Sequence, residues 1–505
     1  MRVLSPNVGS SLPPDRMNAS EPIRQQSLRA PDAVAYVSGR GAATTYATLE
    51  RTIDAAARRL LALGLGAGQT AALATGDLFR YLVAALALAR IGVAHAPITL
   101  PGHLTDVALI DAGAQDNRAT RSLAFAAFWP DDPRAPASDA PLRMHAGGAA
   151  TFMICPSSGT TGTPRFVPLS HNLALRRALG RATAIAIAGG AADADSAALR
   201  QACLIGPGSS YGFSSHLYAL ACGGTVLEPD HVERIAAWIV ASRVNRLILS
   251  PAALEIILRA LPTEPMPNVL EQIEIGGATL RPHVYAAARE RLCANIVVNY
   301  GLTECGRVAG ATAETAQRTP GSAGYAYAGV TIEIVDDADR PVPPGAEGAI
   351  RIRSDRNASG YVGDPERSAA TFRNGWVYPG DRGALDPDGL LRIAGRTDDV
   401  INRGGVKVSP AEVEGVLMTL AALSEVAVFG VPGDDGVPVV CAAVVPAARF
   451  DADAFHARCR ERLGLKAPAL IMHMRELPRN ANGKVLRSEL VRIAIASDRA
   501  RKTVH

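Results

Sequence analysis

Two hydrophobic periods alternate along this chain, and that alternation limits its fold more than any other feature. Leu49, Ile53, Ala56 and Leu60 recur at spacings of four, three and four, which places them on one face of a helix. Gly64 and Gly66 stop that pattern, and Thr70 to Thr75 (TAALAT) reads as a short apolar strand buried in a sheet. A second helical stripe of Leu78, Leu82, Leu86 and Ala89 leads to another apolar stretch ending near Pro97. From Leu247 the alternation resumes as LILS, a helix, IEIGG, a helix and IVVNYG, each β-type run ending at Gly, Ser or Asn. Such alternation predicts an α/β fold of βαβ units around a parallel sheet, with ligands beyond the carboxyl ends of the strands.

Downstream of Pro320 the pattern changes. VTIEIVD, GAIRIRS and GLLRIAGR alternate apolar with polar residues and are separated by the turn-rich PVPPGAEG and DPDG. These segments predict an antiparallel β-rich subdomain. After Gly395-Arg396-Thr397-Asp398 a new helix (Pro410 to Leu420), the strand VAVFGV and further helices predict a small α+β domain. The expected organisation is therefore a flexible tail over 1–20, a large N-terminal domain over 21–397 and a C-terminal domain over 398–505. Residues 116–150, rich in Ala, Asp and Pro, read as a loop-rich connection, and no tandem repeat or coiled coil interrupts the pattern.

A chain of 505 residues exceeds one ordinary core, in keeping with more than one domain. The net charge of +4 is small for that length, so neither nucleic acid nor a membrane surface is implied as a partner. The most apolar helical segment, Tyr81 to Ala89, is closed by Arg80 and Arg90. It falls far short of the roughly 20 residues that span a bilayer. The start of the chain lacks an apolar signal-like core. Its seven cysteines are scattered and form no Cys-x-x-Cys pair, which reads as reduced thiols and a cytoplasmic location.

Five segments carry candidate chemistry. Ser157-Ser158-Gly159-Thr160-Thr161-Gly162-Thr163-Pro164-Arg165 leaves the apolar run TFMIC. Its glycines admit close backbone N–H groups, its hydroxyls add donors and Arg165 adds charge, a set suited to polyphosphate. No Gly-Lys-Ser/Thr follows, so this is not the phosphate loop of the Walker type. Asn299-Tyr300-Gly301-Leu302-Thr303-Glu304 follows the apolar IVV. It is either a strand-ending turn with a surface Glu, or a tyrosine face for a base beside a carboxylate for Mg²⁺. Gly380-Asp381-Arg382-Gly383 reads as an Asx turn or a ribose-binding carboxylate, and Gly395 to Asn402, with Gly404 and Gly405, as an interdomain turn. Lys484, in Asn482-Gly483-Lys484, would by itself be a solvated charge.

Taken in order, the five segments resemble the adenylate-forming superfamily of acyl-CoA synthetases, peptide-synthetase adenylation domains and luciferase, from about Thr45 to Arg487. The resemblance implies a large domain that binds ATP and a carboxylic acid, and a small mobile domain that swings between two poses. Carried over, Ser157, Ser158, Gly159, Thr160, Thr161, Gly162 and Arg165 would embrace the β- and γ-phosphates. Gly276, Gly277 and Ala278 would line the adenine and acyl pocket. Tyr300 and Gly301 would sit near adenine, Thr303 on the α-phosphate, and Glu304 on Mg²⁺. Asp381 would bond the ribose, with Arg396 close by; Asp398 would be the hinge and Lys484 the catalytic lysine. Gly404 and Gly405 would reach the site for transfer of the acyl group to a thiol.

The sequence departs from that pattern in places. The phosphate loop ends Pro164-Arg165-Phe166 where Pro-Lys-Gly is usual, and Ser209 stands where many relatives carry His. Tyr211, Gly212, Phe213, Gly276 and Cys305 are the expected acyl-pocket positions, mostly small or apolar, which favours an aliphatic or aromatic monocarboxylate over an amino acid. The run from Ile401 to Glu412 is similar to free-standing CoA ligases, so coenzyme A is the expected acceptor. A separate acyl carrier protein is the alternative acceptor, and a non-catalytic nucleotide- or acyl-binding relative is the second alternative.

Overall fold

The structure is a computed structural model that describes residues 17–111, 119, 121–130, 142, 144–157, 165–180, 199–229, 234–261, 270–278, 280–312, 315, 319, 322–397, 399–403, 406–433, 437–447, 450–479 and 485–503. The early helix–strand alternation builds a six-stranded sheet in the order Ser122–Ala124, Val107–Ile110, Thr70–Ala74, Ala94–Pro97, Thr151–Ser157 and Arg165–Ser170. Its neighbours are parallel except for the last pair, an antiparallel hairpin on either side of the Ser/Thr/Gly loop.

The later alternation builds a 15-stranded sheet of two characters. Val34–Val37, Thr225–Leu227, Arg200–Cys203, Arg246–Leu249, Gln272–Gly276 and Ile296–Leu302 lie side by side and parallel. From Ile296–Leu302 onward the pairing turns antiparallel, through Gly306–Thr312, Ser322–Ala326, Leu391–Arg396, Asp381–Leu385 and Gly348–Ser354. The expected β-rich subdomain thus continues the same hydrogen-bonded sheet. The helices Pro251–Ala260 and Pro282–Arg291 connect the parallel strands, as the periodicity requires.

Helix Leu78–Ile91 is buried at every position from Tyr81 to Ile91. It is apolar all round, as a helix with neighbours on all sides must be. Burying a leucine such as Leu86 contributes about 2 kcal/mol. Arg90, 1% exposed, is held by Glu50 at 2.5 Å and Asp54 at 3.5 Å. Among the described residues, no helix is long and apolar enough to cross a membrane.

Two expectations change. Met17 to Ser20, placed in the tail over 1–20, are buried, and the Asn18 amide donates to Ala89 O at 2.8 Å. Within 116–150, Ser122–Ala124 joins the sheet, and Phe125 and Phe128 sit in the core on a short helix. Aromatic anchors there outweigh a composition that otherwise reads as loop. The C-terminal part packs helices Pro410–Leu420, Ala452–Leu463 and Arg487–Thr503 around the sheet Leu423–Val431, Val439–Pro446 and Leu470–His473. It has its own cores, around Val428 and Phe455 and around Phe429 and Leu490.

His95 and His171 flank Phe152, with ring centroids 4.7 and 5.1 Å from it. Burial pushes His95 down to about 3 and His171 down to about 4. The unfolded chain takes up these protons near pH 6.5 while the folded chain refuses them. Their stabilising effect is therefore complete above that pH and is lost as pH falls towards the folded values. We expect the urea midpoint to fall between pH 7 and 5, each histidine adding up to about 1.4 kcal/mol per pH unit. His95→Phe should flatten that slope; equal slopes for the variant and the parent chain would contradict the assignment.

Candidate active site

The site forms where the sheet changes character, at the carboxyl end of Ile296–Leu302. Strand pairing sets Asp381 opposite Arg396, on two strands separated from that of Tyr300 by Gly306–Thr312 and Ser322–Ala326. The Tyr300 hydroxyl donates to Asp381 Oδ2 at 2.5 Å, and Arg396 Nε lies 3.7 Å from Asp381 Oδ1. Burial, and then the Asp381 charge, push the Tyr300 phenol well above its ordinary range, so it stays a donor. Three residues far apart in the sequence thus converge. Gly277 lines the same cleft at φ +92°, a left-handed conformation that glycine adopts without strain. Gly301 approaches Gly306 O so closely that a side-chain carbon would sit 2.7 Å from it, which keeps the turn to Glu304 tight.

That turn touches both stems of the Ser/Thr/Gly loop. The Thr303 hydroxyl donates to Pro156 O at 3.3 Å, beside Ser157. The Arg165 guanidinium lies 5.6 Å from the ring centroid of Tyr361, and the Tyr361 hydroxyl donates to Glu304 Oε1 at 2.8 Å. Burial and the Glu304 charge push the Tyr361 phenol up to about 12. Arg165 thus lies within cation–π range of an aromatic face, where the usual lysine would present a point charge. Phe166 turns into a small core with Ile154, Ala96 and Leu100, which accounts for a bulky residue just after the loop.

Glu304 is buried, and among the described residues no cluster of three His, Cys, Asp or Glu side chains surrounds it. A lone carboxylate fits Mg²⁺, which takes one or two protein carboxylates and completes its shell with phosphates and water.

Arg177, on helix His171–Leu179, escaped the sequence analysis. Its guanidinium is buried and donates to Thr303 O at 2.8 Å, Glu304 O at 2.9 Å, Arg356 O at 2.9 and 3.0 Å, and Ser210 Oγ at 3.0 Å. One side chain therefore ties the Thr303–Glu304 turn to the helix Ser210–Ala221 and to the antiparallel half. Nothing in HNLALRRAL distinguishes Arg177 from Arg176 beforehand, because only the tertiary fold supplies the carbonyls.

The expected acyl-pocket residues divide. Tyr211 and Gly276 meet: a side-chain carbon on Gly276 would stand 2.8 Å from the Tyr211 ring. Gly212 packs on the backbone of Gly206, and Phe213 is buried beside His95 and Phe152 in the core. Cys305 is buried among Val308, Ile350 and Leu391, and burial pushes its thiol up, which leaves it a packing residue. The seven cysteines are all free thiols. Ser209 caps the helix Ser210–Ala221 by accepting from Gly212 N at 3.0 Å. Two residues before Gly276, Glu274 forms a buried ion pair with Arg307 at 3.3 Å.

A cleft of about 2310 Å³ runs between the two parts of the chain. Its walls include Gly277, Ala278, Tyr300, Asp381 and Arg396 on one side, and Arg479, Val485 and Arg487 on the other. Arg281 bridges the parts by donating to Ser424 O, and the Ser409 hydroxyl donates to Ala394 O at 3.0 Å. Ser158, Gly159, Thr160, Thr161, Gly162, Asp398, Gly404, Gly405 and Lys484 lie outside the described residues. Arg479 and Val485 pair as an antiparallel bridge.

Comparison with known proteins identifies the family. The AMP-binding enzyme family matches residues 23–115 and 101–362, and the AMP-binding enzyme C-terminal domain matches residues 412–484. A feruloyl-CoA synthase from an Amycolatopsis species is 30% identical, over 94% of this chain and 98% of its own. A 2-succinylbenzoate–CoA ligase from Geobacillus kaustophilus (strain HTA426) is 29% identical, over 93% and 97%. The O-succinylbenzoate coenzyme A synthetase of Bacillus subtilis, solved in complex with AMP, shares the fold with a TM-score of 0.80 at 23% identity, covering 93% of this chain and 97% of that one. The chain belongs to the AMP-binding enzyme family.

Removing the Arg177 guanidinium leaves the Thr303 and Arg356 carbonyls without their donor, at about 1–3 kcal/mol each, leaves Glu304 O with Ala358 N alone, and loosens the turn that carries Thr303 and Glu304. We expect Arg177→Met to lower the rate of acid-dependent pyrophosphate release roughly 100-fold and to weaken the response to Mg²⁺. Arg177→Lys should recover only part of the rate, since an ammonium cannot span the same acceptors. A folded Arg177→Met protein with the parent's rate and Mg²⁺ dependence would remove Arg177 from the site.

Proposed function

We propose that this chain is an AMP-forming ligase that joins a carboxylic acid to coenzyme A. The observation that carries the reading is the convergence of Tyr300, Asp381 and Arg396 on one cleft wall, three residues from a Thr303–Glu304 turn that touches both stems of the Ser/Thr/Gly loop. The relatives above are named as CoA ligases or synthetases, which favours coenzyme A as the thiol.

In the first half-reaction a carboxylate oxygen of the acid attacks the α-phosphorus of ATP. The bond from that phosphorus to pyrophosphate breaks, and an acyl-adenylate remains. Tyr300 offers its face to adenine, while Asp381, steadied by Tyr300 and Arg396, accepts from the ribose hydroxyls. Ser157 to Gly162 and Arg165 hold the β- and γ-phosphates, and Thr303 donates to the α-phosphate. Glu304 holds Mg²⁺, which neutralises phosphate charge when bound. Lys484 stabilises the charge that builds on the α-phosphate and on the departing pyrophosphate. Its chain neighbour Val485 lines the cleft, which supports that placement.

In the second half-reaction the thiolate sulfur of coenzyme A adds to the acyl carbon, and the acyl–oxygen bond to AMP breaks. Rotation at Asp398 withdraws Lys484 and brings Gly404 and Gly405 to the site. A separate acyl carrier protein, with the same phosphopantetheine thiol, is the other acceptor to test. The free thiols agree with a cytoplasmic location.

A panel of acids with ATP and Mg²⁺ should release pyrophosphate for a few members and yield a thioester only when coenzyme A is added. Thiol-dependent AMP release with a carrier protein alone would change the acceptor. No release with any acid, from folded protein, would refute the ligase. Lys484→Ala should lower adenylation at least roughly 100-fold while leaving the melting temperature unchanged.

A further inference from the structure

The two parts of the chain meet through a row of alternating charges on the cleft walls. Arg281 immediately precedes the helix Pro282–Arg291, and its Nε donates to Glu255 Oε1 on the helix Pro251–Ala260 at 3.0 Å. The same guanidinium crosses to the C-terminal part, where Nη1 donates to Ser424 O and Nη2 lies 3.6 Å from Glu425 Oε1. Glu425 Oε2 in turn accepts from Arg479 Nη2 at 2.9 Å, and Arg479 pairs with Val485 as an antiparallel bridge. Glu255, Arg281, Ser424, Glu425, Arg479 and Val485 all line the cleft whose walls include Tyr300 and Asp381.

This row is built to part. When the halves separate, Arg281 keeps Glu255 and Arg479 keeps Glu425, so neither side is left with a lone charge. Stripping one partner from a buried pair would be strongly unfavourable, whereas here only the link between two neutral pairs is given up. The four charged side chains are 17% to 33% exposed, so water can take the place of that link. Ile256 and Met418, large apolar side chains of the cleft walls, stay 52% and 39% exposed and form no apolar seal there. Polar contact of this kind permits movement between domains.

The contact also has a direction. Arg479 and Val485 flank residues 480–484, and both line the cleft opposite the Tyr300 wall. Holding Glu425 against Arg281 therefore holds the flanks of Lys484 at the site of the first half-reaction.

We propose that Arg281 and Glu425 form a releasable latch that favours the adenylating pose, and that they act as positioning residues for the first half-reaction. This rests on the ligase reading and adds to it the residues that set the balance between its two poses. A partly exposed ion pair with one hydrogen bond shifts such a balance by a few-fold to about tenfold.

The test measures the two half-reactions separately on the full chain. Adenylation is read as acid-dependent exchange of pyrophosphate into ATP without coenzyme A, using the most active of benzoate, cinnamate and octanoate. Transfer is read as thioester formation from the matching synthetic acyl-adenylate and coenzyme A, without ATP. Arg281→Leu and, separately, Glu425→Gln should lower the ratio of adenylation to transfer by roughly threefold to tenfold. A general loss of packing would slow both half-reactions and leave the ratio alone. Arg281→Lys, which reaches fewer of the acceptors, should fall between. Raising salt from about 0.05 M to about 0.5 M should lower the ratio in the parent chain and much less in Arg281→Leu. An unchanged or raised ratio in the folded variants, or equal salt dependence with and without Arg281, overturns the latch and leaves the ligase standing. Absence of exchange by the parent chain with all three acids refutes both.

Discussion

The turn from Leu302 to Gly306 depends on a buried guanidinium. Here a parallel sheet ends and an antiparallel one begins, and the chain must reverse without a long connection. The carbonyls of Thr303 and Glu304 point inward at that reversal, where water is excluded. Unpaired they would each cost about 1–3 kcal/mol; Arg177 donates to both from a helix that follows the other sheet, and Ala358 N adds a second donor to Glu304 O. The same side chain reaches Ser210 and Arg356, so the relative placement of both sheets is read through one residue.

From that anchor the rest of the site follows by short links. Thr303 reaches back to Pro156 at one stem of the Ser/Thr/Gly loop, and Glu304 is held through Tyr361, over which Arg165 of the other stem lies. Tyr300, just before the turn, fixes Asp381, which strand pairing has already set opposite Arg396. Arginine in place of lysine at 165 is explained by its planar face, which an aromatic ring can hold.

A polar network joins this strand to its two neighbours. Glu274, Asn299 and Arg307 lie on three neighbouring strands, and each is unremarkable in its own segment: IEIGG, IVVNYG and GRVAG. Only pairing of those strands, with Tyr211 brought down by the Ser209-capped helix, joins isolated polar residues into one network.

Much of the fold was legible because hydrophobic period is local. The spacing of Leu49, Ile53, Ala56 and Leu60 implied their helix, and LILS, IEIGG and IVVNYG implied parallel strands with intervening helices. The site motifs were legible where glycine, hydroxyl and carboxylate occur within a few residues, as from Asn299 to Glu304. Phe213, Cys305 and Gly212 lay outside that reach: burial depends on what packs over a residue, and here that is core or backbone. The same holds for Met17 to Ser20, polar or small in sequence yet covered by the fold. By itself, then, the sequence determined the layering of the molecule and the identity of its loop and turn motifs, since both are written in neighbouring residues. The tertiary structure alone decided which arginine of two is buried, which tyrosine holds Glu304, and that Glu274 pairs with Arg307. Those outcomes rest on contacts between residues tens to hundreds of positions apart, and no local pattern encodes them.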